Sequence, residues 1–276
     1  MNNLFEGRSL RFIAAAMVVI NGFFPAVWIL LTSLKTEGEL VQKPITYLPH
    51  EVVLSNYVQA FADQPLLKYL GNSLAVAGLS TVMSLVVAAF AAYAIARLNL
   101  RYRQLVLTII VASSMFPLVT LLVPIFETMR NLNLLNTYTA LVLPYTVLSL
   151  PVCTLVLVSF FQSIPKDLEN AAMIDGCTRL GALWRVVVPL AAPGVFTAGI
   201  LAFVNAWDEF LLALSLNASA SMRTLPVGIS LYQGEFTFPW PVISAALIVA
   251  IVPIAVLIAV FQERVVGGLT QGGLKG

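Results

Sequence analysis

Ser163-Ile-Pro-Lys-Asp-Leu-Glu-Asn-Ala-Ala-Met-Ile-Asp-Gly176 is a polar passage that joins two long runs, 131–165 and 186–207, free of Asp, Glu, Lys and Arg. Pro165 suits the first turn of a helix, where a missing N–H breaks no hydrogen bond. Asp167 and Glu169 then sit near the positive N-terminal end of that helix. Gly176 supplies the stop, because glycine adopts φ > 0 without a steric penalty. The pattern predicts a short helix over 165–175. Leu168, Ala171, Ala172 and Asp175 follow i, i+3, i+4, i+7 and share one face, and two alanines there let another surface come close. Thr178 is placed to cap a second helix running through Val188, with Pro189 marking entry into the next apolar run. A helix lying on lipid headgroups is the plainer reading. Such helices are rich in Lys and Arg and carry large apolar anchors, and this one has few of either. An elbow seated in a protein cleft suits the residues better.

Working outward, the flanking runs decide the class. Of 276 residues, 59% are hydrophobic and 10% charged, against about 45–50% and about 25% for a soluble globular chain. Fifteen basic and 13 acidic side chains plus His50 cannot cover a water-facing surface, so lipid must cover much of the chain. A net charge of +2 points away from nucleic acid. A spanning helix needs about 20 mostly apolar residues. The charge-free runs place spans at about 12–34, 70–96, 104–126, 138–161, 189–209 and 240–262. The apolar stretch 210–222 is too short to cross and reads as interfacial or re-entrant. The first run exceeds the usual 7–15 apolar residues of a signal peptide and lacks a small-x-small cleavage site, so it reads as an uncleaved helix. Pro25, Gly78, Pro117, Pro124, Pro144, Pro151 and Pro253 fall within spans and read as ordinary kinks.

Six spans put both termini on one side. That side would hold Arg8, Arg11, Arg97, Arg101, Arg103, Lys166, Arg179, Arg185, Arg264 and Lys275. The other would hold Lys35, Lys43, Lys68, Arg130 and Arg223. The excess marks the first side as cytoplasmic. The chain then divides into an N-terminal span and outer segment (1–69), a core of five spans (70–262) with a cytoplasmic loop at 162–188, and a cytoplasmic tail (263–276). The outer segment either meets a partner or caps the bundle. Trp28 and Trp240 lie near outer span ends and read as belt anchors.

Catalytic chemistry finds no footing. Cys153, Cys177 and a single His cannot build a structural zinc site. There is no G-x-x-x-x-G-K-[ST] phosphate loop, no H-E-x-x-H and no G-x-S-x-G. A T-V-G-Y-G potassium filter is also missing. No internal repeat stands out. Asp208 and Glu209 are the candidate intramembrane carboxylates that an ion-coupled secondary transporter would need. Their place at the outer end of the fifth span favours a solvated helix end, or the mouth of a solute path, over a proton relay. Asn205, Trp207, Asp208 and Phe210 are the candidate substrate-pathway residues; for the aromatic pair Trp207 and Phe210 ordinary helix packing is the favoured reading.

The elbow resembles the cytoplasmic signature of the transmembrane subunits of binding-protein-dependent ABC importers: Glu-Ala-Ala, three residues, Gly, nine residues, an aliphatic, one residue, Leu, Pro. Asn170-Ala171-Ala172, Gly176, Val186, Val188 and Pro189 fall in that register. The chain departs from it at Asn170, where the signature has Glu (Glu169 is adjacent), and at Val188, where it has Leu. Asn72-Ser-Leu at the start of the second span, Phe203-Val-Asn-Ala-Trp-Asp-Glu-Phe210 and the 267–276 tail are similar to the MalG-type carbohydrate permease group. The resemblance implies an all-α membrane protein of the type I ABC importer permease fold in a bacterial-type inner membrane. It implies import of a carbohydrate or related solute, and coupling to an ATPase through Glu169, Asn170, Ala171, Ala172, Asp175 and Gly176. The implied partners are a second, different permease subunit, two copies of an ABC ATPase that bind ATP and Mg, and an extracytoplasmic solute-binding protein. No cofactor, metal or catalytic residue is implied in this chain.

Overall fold

The computed structural model describes residues 2–273 apart from 99, 235 and 236, and the side chains of 15–261 with the same exceptions. The side chains of Arg8, Arg11, Arg264 and Lys275, and those of the tail motif, lie outside the described residues. No strand occurs among the described residues. Among the described residues four helices are long and apolar enough to cross a membrane: Asn2–Ser33 through its part Ala15–Ser33, Leu66–Arg97, Tyr138–Ser163, and Trp240–Gly273 through its part Trp240–Phe261. Pro144 and Pro151 are accommodated inside Tyr138–Ser163.

The other two expected spans are broken. Arg103–Ser114 and Leu118–Asn131 meet at 90°. Pro117 has no N–H to continue the first helix and disfavours α geometry at Phe116, so the run expected at 104–126 turns instead of passing straight. Arg179–Leu190 and Ala192–Asp208 meet at 82°. A π turn, Leu183–Val187, closes with the Val188 amide on the Leu183 carbonyl just before Pro189. A regular turn there would drive the proline ring into the carbonyl four residues back. The straight part of the expected fifth span therefore begins at Ala192 and ends at Asp208.

The chain forms two compact units, one of residues 1–67 and 228–253, the other of 68–227 and 254–276. In the first, the segment that follows Asn2–Ser33 is closed by its own polar groups. Lys35 is buried; its Nζ donates to the Thr46 carbonyl and lies 5.6 Å from the Trp28 ring centre. Glu39 accepts from Thr46 Oγ1 (2.9 Å) and from the His50 amide (3.1 Å). Desolvation pulls the Glu39 pKa upward, but those two hydrogen bonds and the charges of His50 and Lys35 outweigh it and hold the carboxyl below its usual value. Asn56 Nδ2 donates to the carbonyls of Ser33 and Lys35, each at 2.9 Å. Outside this network Val41, Ile45, Tyr47 and Leu48 are exposed.

In the second unit, Ala192–Asp208 packs along Tyr138–Ser163. Ala198 and Ala202 lie in one buried cluster with Cys153, Leu157 and Phe161. Small residues permit the close approach that helix packing in lipid depends on. Gly194 is the extreme case: a Cβ there would stand 2.3 Å from Phe160 Cγ. At the start of Leu66–Arg97, Asn72 Nδ2 donates to the carbonyls of Ser221 (3.0 Å) and Arg223 (2.8 Å), and its Oδ1 accepts from Tyr138 Oη (2.8 Å). Ser73 Oγ accepts from the Leu225 amide at 2.8 Å. The Asn-Ser pair thus pins this span to the connection that follows the short helix Leu211–Leu216.

Candidate functional site

Two places in the second unit concentrate polar chemistry. The first is the elbow. Its helix runs Lys166–Ile174 with Pro165 at the N-cap. Gly176 adopts φ +93°, and the amides of Gly176 and Cys177 close on the carbonyls of Met173 (3.1 Å) and Ala172 (2.9 Å). Thr178 Oγ1 accepts from the Gly181 amide at 3.1 Å and caps the next helix. Leu168, Asn170, Ala171, Asp175 and, most of all, Ile174 (85% exposed) face outward, whereas Ala172 is half-buried.

Glu169 faces the other way. It is buried and accepts a hydrogen bond from Tyr93 Oη, and its Oε2 lies 3.4 Å from Arg97 Nε. Arg97 Nη2 also donates to the Ile164 carbonyl at 2.9 Å. A cleft of about 430 Å³ opens beside this group, lined among others by Tyr93, Arg97, Lys166, Asn170 and Arg179. From sequence alone Arg97 serves only to orient the chain, and Tyr93 carries no role. Two spans separate both from Glu169 in the chain, and no local pattern points from one to the other.

The second place is a cavity of about 190 Å³ lined by Ser114, Leu118, Tyr145, Leu148, Ser149, Asn205, Ala206 and Glu209. Ser114 stands at the 90° break and Asn205 near the C-terminal end of Ala192–Asp208. Glu209 is committed: it accepts from Tyr145 Oη and from the amides of Leu212 (2.8 Å) and Ala213 (3.1 Å), capping Leu211–Leu216. Beside the apolar Leu118, Leu148 and Ala206, the polar groups that the cavity offers are therefore mostly neutral hydroxyl and amide. Of the four pathway candidates, Asn205 lines the cavity. Trp207 is 3% exposed and stacks on Phe203, ring centres 5.6 Å apart. Asp208 and Phe210 are exposed beyond the lining. Ser114, Tyr145 and Ser149 were not singled out from sequence, because a hydroxyl in an apolar run carries no signal until its neighbours are known.

A family model described as the binding-protein-dependent transport system inner membrane component matches residues 45–270. The chain belongs to this family. This permease is 71% identical over 276 residues to the sulfoquinovosyl glycerol transport system permease protein SmoH of Agrobacterium fabrum, covering 100% of this chain and 97% of that protein. It is 36% identical over 272 residues to the trehalose/maltose transport system permease protein MalG of Thermococcus litoralis, covering 98% and 97%. Its fold matches the crystal structure of a bacterial ABC transporter involved in the import of the acidic polysaccharide alginate, with a TM-score of 0.78 at 21% identity over 92% of this chain and 94% of that one. The permease is thus a multi-pass inner-membrane transport subunit, and the ion-coupled alternative weighed from sequence finds no support.

Proposed function

We propose that this permease forms half of the path of an ATP-driven importer for a carbohydrate-containing solute, and that it takes its drive through the elbow helix. The arrangement is six spans with both ends cytoplasmic, the bent pairs each counting as one span. The N-terminal span and outer segment occupy 1–69, the core 70–262 with the cytoplasmic loop 162–188, and the tail 263–276. A second, different permease subunit completes the path, two ATPase subunits bind ATP and Mg, and an outer binding protein delivers the solute. The observation that carries the reading is the elbow itself: a short capped helix, held from behind and presenting Leu168, Ala171, Ile174 and Asp175 outward.

Alternating access is an equilibrium between two conformations, which a partner shifts only by interacting differently with each. Moving it from 1:99 to 99:1 takes about 5.5 kcal/mol. A loose loop would dissipate that work; a rigid helix seated in an ATPase cleft transmits it. Ala171 and Ala172 allow close seating, Asn170 stands at the rim, and Gly176 makes the turn into the next helix. On the solute side Asn205, with Ser114, Tyr145 and Ser149, supplies hydroxyl and amide partners suited to a glycoside. Asp208 and Phe210 lie toward the outer mouth, and Trp207 backs the helix that carries Asn205. Relatives whose names specify sulfoquinovosyl glycerol and trehalose/maltose support this solute class.

Uptake and ATPase docking in the reconstituted importer test the proposal. Ala172→Trp should leave membrane insertion intact, release the ATPase and stop uptake; normal docking and uptake would reject it. A ligand screen on the cognate binding protein tests the solute, and capture of amino acids or phosphate with no glycoside would reject the carbohydrate assignment.

A further inference from the structure

Within the coupling role just proposed, we infer that Glu169 is the positioning residue that joins the ATPase-facing helix to the Leu66–Arg97 span, so that the two move as one body. The elbow helix is connected through the chain to Tyr138–Ser163 before it and to Arg179–Leu190 after it. It has no such link to Leu66–Arg97, and the contact with that span is made by side chains. Tyr93 and Arg97 are four residues apart, hence on one face of the last turn of their helix. Between them they hold the elbow helix at two points: the Glu169 carboxylate, and the carbonyl of Ile164 just ahead of the Pro165 cap. Two points fix an orientation where one would leave a pivot. Arg97 also sits at the C-terminal end of its helix, where a cation is favoured by the helix dipole.

The ion pair is buried, with Arg97 4% and Glu169 9% exposed at the side chain. A buried pair gives little net stability over an apolar replacement but fixes geometry, and removing one partner strands a charge. That combination suits a mechanical link better than a stabilising contact. It also accounts for the departure at the signature position. Asn170, where the family signature has its carboxylate, is exposed, whereas the neighbouring Glu169 lies on the opposite side of the helix from Ile174 and engages its own chain. A thrust on the outward face is then delivered to Leu66–Arg97 through Glu169.

The test uses the full importer in proteoliposomes, reading ATPase co-purification, ATP hydrolysis and solute uptake together. Glu169→Gln should retain the ATPase subunits at wild-type stoichiometry while solute imported per ATP hydrolysed falls about tenfold. The charge-swapped pair Glu169→Arg with Arg97→Glu should regain part of that ratio, which a general packing defect would not do. Tyr93→Phe, which removes one hydrogen bond and keeps the ring, should lower the ratio less; it decides the matter if Glu169→Gln fails to accumulate. A wild-type ratio in Glu169→Gln, or in Tyr93→Phe where the former does not accumulate, overturns the inference. So does loss of ATPase docking in Glu169→Gln, which would make Glu169 part of the docking surface. Ala172→Trp separates the two levels: if it docks and transports normally the coupling role itself fails, and if it does not while Glu169→Gln keeps a normal ratio, only the link fails.

Discussion

The two broken spans share a cause and differ in everything that follows from it. Each bends by close to a right angle beside proline, 90° at 115–117 and 82° at Ala191. Arg179–Leu190 and Ala192–Asp208 bury one face, with Ala182, Leu183, Val187, Ala191, Ala198 and Ala202 all buried, while Leu180, Leu190 and Leu201 on the other face are exposed. Arg103–Ser114 contains no buried residue, and Met115 and Phe116 at its break are 77% and 64% exposed. The first half of the packed pair opens with a side-chain cap, Thr178, whereas Tyr102 caps the exposed pair without one. Proline thus sets where a span breaks, and packing sets whether the break is a fixed elbow or an open surface. The open break is the surface on which the contact with the proposed second permease subunit can be tested.

The sharpest way to break this contrast is Gly194→Val. Overpacking by even a methylene costs about 1–3 kcal/mol, and here the added Cβ would fall 2.3 Å from Phe160 Cγ and 2.8 Å from its Cβ. The purified subunit should unfold at clearly lower temperature or fail to accumulate; wild-type thermal stability would show that the packed break is looser than described. Gly176→Val comes next. Nothing lies within 4 Å of a Cβ there, but φ is +93°, and a side chain in left-handed geometry costs roughly 1–2 kcal/mol. Insertion should survive and uptake fall, with Gly176→Asn milder, measured by membrane yield and transport side by side. Equal loss in both variants would point away from backbone strain.

Thr178→Ala removes the cap of the packed pair and should lower stability by about 1 kcal/mol. Tyr102→Ala, at the position without a side-chain cap bond, should change it less in the same denaturation series. The smallest effect is expected at the open break. Met115→Ser and Phe116→Ser should alter the stability of the isolated subunit by no more than about 0.5 kcal/mol, yet weaken co-purification with the second permease. Undiminished co-purification would assign this surface to lipid.

Much of this was legible in the chain because the governing physics is local or statistical. Charge-free runs of sufficient length mark membrane crossings, since lipid offers no partner for a charge. Three of these runs fall on the long helices Leu66–Arg97, Tyr138–Ser163 and Trp240–Gly273. The elbow was legible for a different reason: Pro165, Gly176 and Thr178 act on the backbone within a turn of where they stand, and each does what its chemistry dictates. The same residues carried the family resemblance.

What the chain did not disclose depends on side chains brought together from far apart. Glu169 reads from sequence as an acid in the first turn of a helix and, by resemblance, as one of the ATPase-coupling residues; only the fold sets it against Tyr93, 76 residues earlier, and makes it a buried link within the chain. Glu209 reads as the solvated end of a span, and only the fold brings it to Tyr145, 64 residues away, and turns it back to cap Leu211–Leu216. Pro117 and Pro189 announce that regular hydrogen bonding must fail nearby, but a kink and a right-angle turn start from the same missing N–H. Whether the break is then a fixed elbow or an open surface rests on whether neighbouring helices fill the space beside it, a property of tertiary packing that no residue carries alone.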